Sequence, residues 1–178
     1  ELFKNYALVI TTNSGLWRYL IGDTVRFTSL NPYRIRVTGR TKHHINVFGE
    51  ELMVENTDQA IAKACQLTET EVVDYTVAPI FMKEKEKGAH EWMIEFKKKP
   101  TNISAFQKVL DDTLQSLNSD YEAKRYNNMT LNPLQINVAR ENLFYDWLKE
   151  KDKLGGQHKI PRLSNHRDYL EQLKEMQA

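Results

Sequence analysis

Three short segments carry the residue types from which a phosphate or nucleotide site can be built. In Gly15-Leu-Trp-Arg-Tyr-Leu-Ile-Gly-Asp23 an acid follows a glycine at the end of an apolar run. A Gly-Asp pair there lets the chain turn tightly and leaves a carboxylate at the tip, whose two acceptor oxygens suit the paired hydroxyls of a ribose. An aspartate that merely caps a β-turn has the same spacing, so the pattern alone leaves both readings open. In Gly39-Arg-Thr-Lys-His-His-Ile-Asn-Val-Phe-Gly-Glu-Glu51 the cations Arg40 and Lys42 stand two residues apart in a polar stretch with a glycine towards each end. Such a stretch suits a hinge that brings positive charge to a phosphate. Neighbouring residues of an extended chain point to opposite faces, so His43 and His44 are poorly placed to share a metal, and no metal site is assigned. In Gly155-Gly-Gln-His-Lys-Ile-Pro-Arg-Leu-Ser164 the paired glycines predict a mobile loop that carries Lys159. Its ammonium is a point charge able to stabilise a developing oxyanion or a pentavalent phosphate; a solvated loop lysine fits the same residues.

Composition removes several other classes of function. The chain has 178 residues, with 25 Lys and Arg against 24 Asp and Glu, a formal net charge of +1. That balance points to neither nucleic acid nor an anionic membrane, and any charge that binds phosphate has to be local. There is no Walker loop, dinucleotide fingerprint or Gly-x-Ser-x-Gly motif. The acid pairs Glu50-Glu51 and Asp111-Asp112 read as solvated faces, and Cys65, the single cysteine, reads as a core residue. One cysteine leaves no intramolecular disulfide, which suits a reducing compartment and an expected cytoplasmic location. No apolar run reaches membrane-spanning length, and no signal peptide is visible.

The elements that must position these segments fall into two blocks. Residues 6–12, 15–21, 24–29 and 33–38 read as four short β-rich runs, with turn signals at Asn13-Ser14-Gly15, Gly22-Asp23 and Asn31-Pro32. Four strands without a helix rarely complete a domain, and the chain opens at Glu1 and runs almost at once into an apolar strand. The expectation is therefore the end of a larger domain, residues 1–39, that belongs to a longer protein. From residue 40 to 178 the pattern predicts a compact α+β domain of mixed or antiparallel sheet and helices. Its expected pieces are a strand at 45–48 and a helix opened by a capping box at Asn56 and Gln59, with Ala60, Ile61, Ala64 and Cys65 inward. Strands follow at 71–82 and around Trp92, Ile94 and Phe96, the latter half-buried by its alternation. A helix begun by Pro100-Thr101-Asn102 and carrying Ile103, Phe106, Val109, Leu110, Leu114 and Leu117, a strand at 133–139, a helix at 141–153 and a last helix capped by Ser164 or Asn165 complete it.

Taken in order, Leu8-Val-Ile-Thr-Thr12, Gly15-Leu-Trp-Arg-Tyr19, Ile21-Gly-Asp23, Val37-Thr-Gly-Arg40, Asn46-Val-Phe-Gly-Glu50 and Gln157-His-Lys-Ile-Pro-Arg-Leu-Ser-Asn165 resemble the C-terminal part of an adenylate-forming enzyme. More closely, they resemble the auxin-responsive Gretchen Hagen family of acyl acid-amido synthetases, in its bacterial branch. The resemblance covers nearly the whole chain. It implies ATP and Mg2+, a carboxylic acid and an amine, usually that of an amino acid, and a large N-terminal domain over which a smaller C-terminal cap rotates. By matching position it implies that Asp23, with Tyr19 beside it in the motif, serves the nucleotide and its ribose hydroxyls. It places Arg40 at the start of the hinge and Lys42 near the α-phosphate, and it makes Lys159 the lysine of the adenylation step. The arginine common after the motif tyrosine is Leu20 here. An acyl-CoA ligase and a non-catalytic module that kept the fold are the alternatives; nucleic-acid and membrane partners are not expected.

Overall fold

The computed structural model describes the chain except for residues 41–43, 85, 129 and 156–158, and for Arg40 and Asn128 it describes the backbone alone. The first block is a three-stranded antiparallel sheet in the order β1-β2-β3, formed by β1 (Asn5–Ile10), β2 (Tyr19–Leu30) and β3 (Tyr33–Arg40). Tyr6, Leu8 and Ile10 alternate inward along β1, as a period of two requires. The four expected runs are three strands, because the chain does not turn at Gly22-Asp23. The register passes from Val9 opposite Leu20 to Ala7 opposite Thr24, so Ile21, Gly22 and Asp23 together face Leu8. Gly22, at φ +88°, absorbs the turn signal as a bulge inside one strand. On one face the rings of Tyr6, Phe27 and Tyr33 meet edge to face at 5.8 and 5.9 Å. On the other, Arg26 Nη2 donates to both oxygens of Glu55 at 2.8 and 2.9 Å, tying this sheet to the second block.

Beyond residues 41–43 the two-residue strand β4 (His44–Ile45) pairs with β5 (Leu52–Met53), which leads directly into α1 (Val54–Thr68). Asn56 is not the N-cap. It sits within the first turn, and its side chain accepts the Met53 N–H at 3.0 Å, the return half of a capping box. Ala60, Ile61 and Ala64 are buried as the periodicity predicts, and Cys65 is half-buried.

The second block is built on the sheet β6-β7-β8, with β6 (Glu71–Ile80) antiparallel to β7 (Ala89–Lys98) and β8 (Gln135–Val138) parallel to it. Helices α2 (Ile103–Leu117) and α3 (Ser119–Arg125) form the crossover, and α4 (Leu143–Glu150) and α5 (Asp168–Gln177) follow β8. Asn102 caps α2 by accepting the Ser104 and Ala105 N–H groups. Alternation predicts a half-buried β7, but the strand is buried on both faces from Ala89 to Phe96. Trp92, Ile94 and Phe96 pack with Ala60, Phe106 and Leu110, while Met93 joins Leu143, Trp147 and Leu170 in a second core. Glu95, the acid in that alternation, and Glu91 are both satisfied inside. Glu95 accepts the Asn142 and Phe144 N–H groups, and Glu91 accepts from Asn137, Arg167 and Lys174. The α+β class holds, with five α-helices among the described residues. Among them no helix is long and apolar enough to cross a membrane.

Candidate functional site

Asp23 lies in the bulge of β2, half-buried, and its partner across the sheet is Arg40, the last residue of β3. A bulge frees a residue from the ladder and re-aims its side chain, so the carboxylate that the sequence predicts at a turn stands instead on a strand. Directly behind this pair, Thr24 and Thr38 are buried and their hydroxyls lie 3.1 Å apart, closing the sheet. Tyr19 begins β2 opposite Ile10 with 51% of its surface exposed. Arg40 is placed by its backbone, while its side chain and the whole of Lys42 lie outside the described residues.

The stretch from β4 to β5 is held from within by Glu50. Its Oε2 accepts the Phe48 N–H at 2.7 Å and its Oε1 meets His90 Nε2 at 2.8 Å, both side chains being fully buried. Burial pushes the Glu50 carboxyl up, but the His90 hydrogen bond and charge, with the Glu50 and Phe48 amides, outweigh it and hold the group below its ordinary value. His90 in turn stacks on Tyr121 at 5.4 Å. The expectation that Glu50-Glu51 and Asp111-Asp112 are solvated faces holds for one member of each pair. Glu51 and Asp112 are exposed, whereas Glu50 and Asp111 are buried. Asp111 accepts from Tyr121 Oη at 2.7 Å and from Arg125 Nη2 at 2.7 Å. Adjacent side chains leave the backbone in different directions, so a doublet of acids reports on two environments.

Lys159 is exposed, and the chain that follows it is pinned. Ile160 and Leu163 are buried; Thr76 Oγ1 donates to the Pro161 carbonyl at 2.7 Å, Val77 N–H to the Arg162 carbonyl at 2.8 Å, and Ser164 N–H back to the Val77 carbonyl at 3.1 Å. Residues 161–164 thus add a short parallel strip to the outer edge of β6, with Leu163 bridged to Val77. Arg162 Nη1 donates to Asp58 Oδ1 at 2.5 Å, its guanidinium lies 5.1 Å over the Tyr75 ring, and the Tyr75 hydroxyl donates to the same Asp58 oxygen. Burial and the Asp58 charge push the Tyr75 hydroxyl well up, keeping it a donor. Burial also raises the Asp74 carboxyl, against the Tyr75 amide and the nearby charges of Arg162 and Lys159. Asn165, read from the sequence as a helix cap, bonds instead to β4: Nδ2 to the His44 carbonyl at 2.8 Å, and Oδ1 from the Asn46 N–H at 2.9 Å. The predicted mobility of the glycine pair concerns a segment whose residues 156–158 lie outside the described ones.

The structure therefore brings Asp23 and Arg40 together on neighbouring strands and seats Lys159 at the head of an anchored strip. Sequence reasoning missed Glu50, His90, Asp58, Tyr75, Arg162 and Asn165 as the residues that hold these segments. Glu50, Arg162 and Asn165 stood inside the motifs that carry the resemblance, which was the available signal. Among the described residues no group of three His, Cys, Asp or Glu is placed to hold a metal ion.

Both blocks match models of one family. Residues 55–168 match the GH3 family C-terminal domain, and residues 1–40 match the GH3 family central domain. The chain belongs to the GH3 family. It is 25% identical over 186 residues to the indole-3-acetic acid-amido synthetase GH3.3 of Arabidopsis thaliana, covering 97% of this chain and 31% of that protein. It is 26% identical over 179 residues to the indole-3-acetic acid-amido synthetase GH3.8 of Oryza sativa subsp. indica, covering 91% and 29%. The solved structure of a GH3.15 acyl acid amido synthetase shares the fold with a TM-score of 0.76 at 24% identity, over 98% of this chain and 33% of that one. The chain thus spans about a third of the length of the curated relatives it matches.

Proposed function

We propose that the chain is the C-terminal part of an ATP-dependent acyl acid-amido synthetase of the bacterial branch of the family, acting in the cytoplasm. Residues 1–39 end the nucleotide-binding domain and residues 40–178 form the cap. The observation that carries this reading is the register of Asp23 opposite Arg40 at the mouth of the hinge stretch, in a chain whose relatives are named amido synthetases. Asp23 takes the ribose hydroxyls, with Tyr19 beside the nucleotide; Arg40 opens the hinge, Lys42 approaches the α-phosphate and Lys159 serves adenylation. The preceding domain of the same protein is the partner of the first sheet. In support, the connection before β2 exposes Trp17 at 79% and the sheet itself exposes Tyr33 at 77%, with Val9, Leu20 and Val37 also more than half exposed.

In the first half-reaction an oxygen of the acid's carboxylate bonds to the α-phosphorus of ATP while the bond to pyrophosphate breaks. Two anions meet there, so cations fixed around the phosphates are the main lever on the barrier. Mg2+, when bound, would neutralise phosphate charge at this step. In the second half-reaction a neutral amine attacks the acyl carbon, the bond to the phosphate oxygen breaks, AMP leaves, and the ammonium formed gives its proton to solvent. Water competes with the amine for the mixed anhydride, which a rotating cap excludes.

The test is acid-dependent ATP–pyrophosphate exchange by the full-length protein, with product analysis against amino acids and against coenzyme A. Amide products are expected, and acyl-CoA as sole product refutes the reading. Asp23→Ala is expected to lower exchange by about a hundredfold, and unchanged exchange removes Asp23 from the site. The 178-residue chain alone is expected to make no amide.

A further inference from the structure

The strand that leaves the hinge stretch is only two residues long, and β5 holds one of its edges. A single side chain holds the other. The Asn165 carboxamide donates to the His44 carbonyl and accepts the Asn46 N–H, joining segments 121 and 119 residues apart in sequence. A carbonyl at one position and an N–H two residues on are the pair that an extended chain offers to a neighbour on one side. The carboxamide, with one acceptor oxygen and a donor nitrogen and no charge, stands in for the peptide group of that missing neighbour.

On its other side Asn165 directly follows Leu163 and Ser164, which are bonded to β6 at Val77. The same strip begins at Lys159, and Arg162 fixes it to Asp58 on α1. Between Lys159 and Asn165 the chain is therefore pinned at Pro161, Arg162 and Ser164. The exit of the hinge and the strip that carries the lysine meet at this carboxamide. We propose that Asn165 is a positioning residue for Lys159: it couples β4 to the lysine strip, so that a turn of the hinge sets the ammonium in register with the nucleotide. The proposal rests on the reading of Lys159 as the adenylation cation. Without the carboxamide, β4 keeps its two pairs with β5 and the buried Ile45 side chain, but loses these two hydrogen bonds to the strip. Ångström-scale misplacement of a catalytic charge lowers rates by up to about a hundredfold.

The experiment compares the full-length wild type, Asn165→Ala, Lys159→Ala and the double variant in ATP–pyrophosphate exchange with a carboxylic acid that supports it. Asn165→Ala is expected to lower kcat about tenfold, with KM for ATP within about twofold. Because Asn165 is exposed, its melting midpoint is expected to stay within about 3 °C of wild type. In the Lys159→Ala background the same substitution is expected to change kcat by no more than about twofold. Full multiplication of the two effects, or an unchanged kcat in Asn165→Ala, overturns the coupling while leaving Lys159 in place. A collapse of the melting midpoint makes Asn165 a structural staple and also overturns it. If Lys159→Ala exchanges at the wild-type rate, or if no acid supports exchange by the wild type, the assignment of Lys159 falls and the coupling falls with it.

Discussion

Replacing Glu50 probes the stretch from β4 to β5 most directly, because a fully buried carboxylate there holds one backbone amide and one imidazole. Glu50→Ala leaves the Phe48 N–H and His90 Nε2 without partners, at about 1–3 kcal/mol each, and opens a small cavity, so a loss of about 4 kcal/mol is expected. For a chain of this size that lowers the melting midpoint by roughly 8–16 °C. Glu50→Gln keeps the volume and one acceptor oxygen, and is expected to lose about 1–2 kcal/mol. The two variants also separate packing from charge through pH. The Glu50 carboxyl is held below its ordinary value of 4.5 in the folded protein, so its ionised form stabilises the fold fully above that value. This contribution is lost as pH falls through the lower folded-state value. The gap between wild type and Glu50→Gln in urea midpoint is therefore expected to be full at about pH 7 and to narrow as pH is taken progressively below 4.5. Glu50→Ala retains a deficit throughout, because its cavity does not titrate. A gap for Glu50→Gln that is constant across that range, or a loss of under about 1 kcal/mol for Glu50→Ala, refutes the account of Glu50 as an ionised anchor.

Two further substitutions test the packing around it. Asp111→Asn removes the charge that faces the buried Arg125 guanidinium and is expected to destabilise by about 3–5 kcal/mol; adding Arg125→Met restores most of this, as read by urea unfolding. No recovery in the double variant counts against charge desolvation as the cause. A Cβ at Gly88 meets Phe48 ring atoms at 2.6 Å, so Gly88→Ala is expected to lose about 1–3 kcal/mol, and Phe48→Leu in the same chain is expected to recover part of it in thermal melts.

The elements written in apolar periodicity were legible in the sequence. Ala60, Ile61 and Ala64 on α1, Phe106, Leu110 and Leu114 on α2, and Leu143, Phe144 and Trp147 on α4 are all buried as their spacing predicts. Two of the misreadings share a physical cause, namely polar groups satisfied by partners far away in sequence. Glu95 gave β7 a false solvent face because the Asn142 and Phe144 amides that satisfy it come from about 50 residues away, and the buried Glu91 is likewise met by Arg167 and Lys174 from about 75 to 85 residues away. Ser164 and Asn165 have the chemistry of an N-cap, but the Asn165 carboxamide is engaged by β4, the Ser164 hydroxyl accepts the His166 N–H in a local turn while its own N–H goes to Val77, and α5 starts at Asp168. Asp23 was singled out by residue type and glycine neighbour, yet the backbone that presents it was misread, since a glycine at positive φ serves a turn and a bulge alike.

That bulge has an arithmetic of its own. Between Leu20 and Thr24 the strand advances four residues while its neighbour advances two, from Val9 to Ala7. The surplus is even, and faces of a strand repeat every two residues. The far half of β2 therefore keeps its orientation, with Phe27 still towards the aromatic side and Arg26 still towards Glu55. Ile21, Gly22 and Asp23 form a segment whose side chains can be exchanged without transmitting a change of face to the rest of the sheet. A single-residue deletion there has the opposite effect: it reverses inside and outside for everything downstream and carries Arg26 away from Glu55.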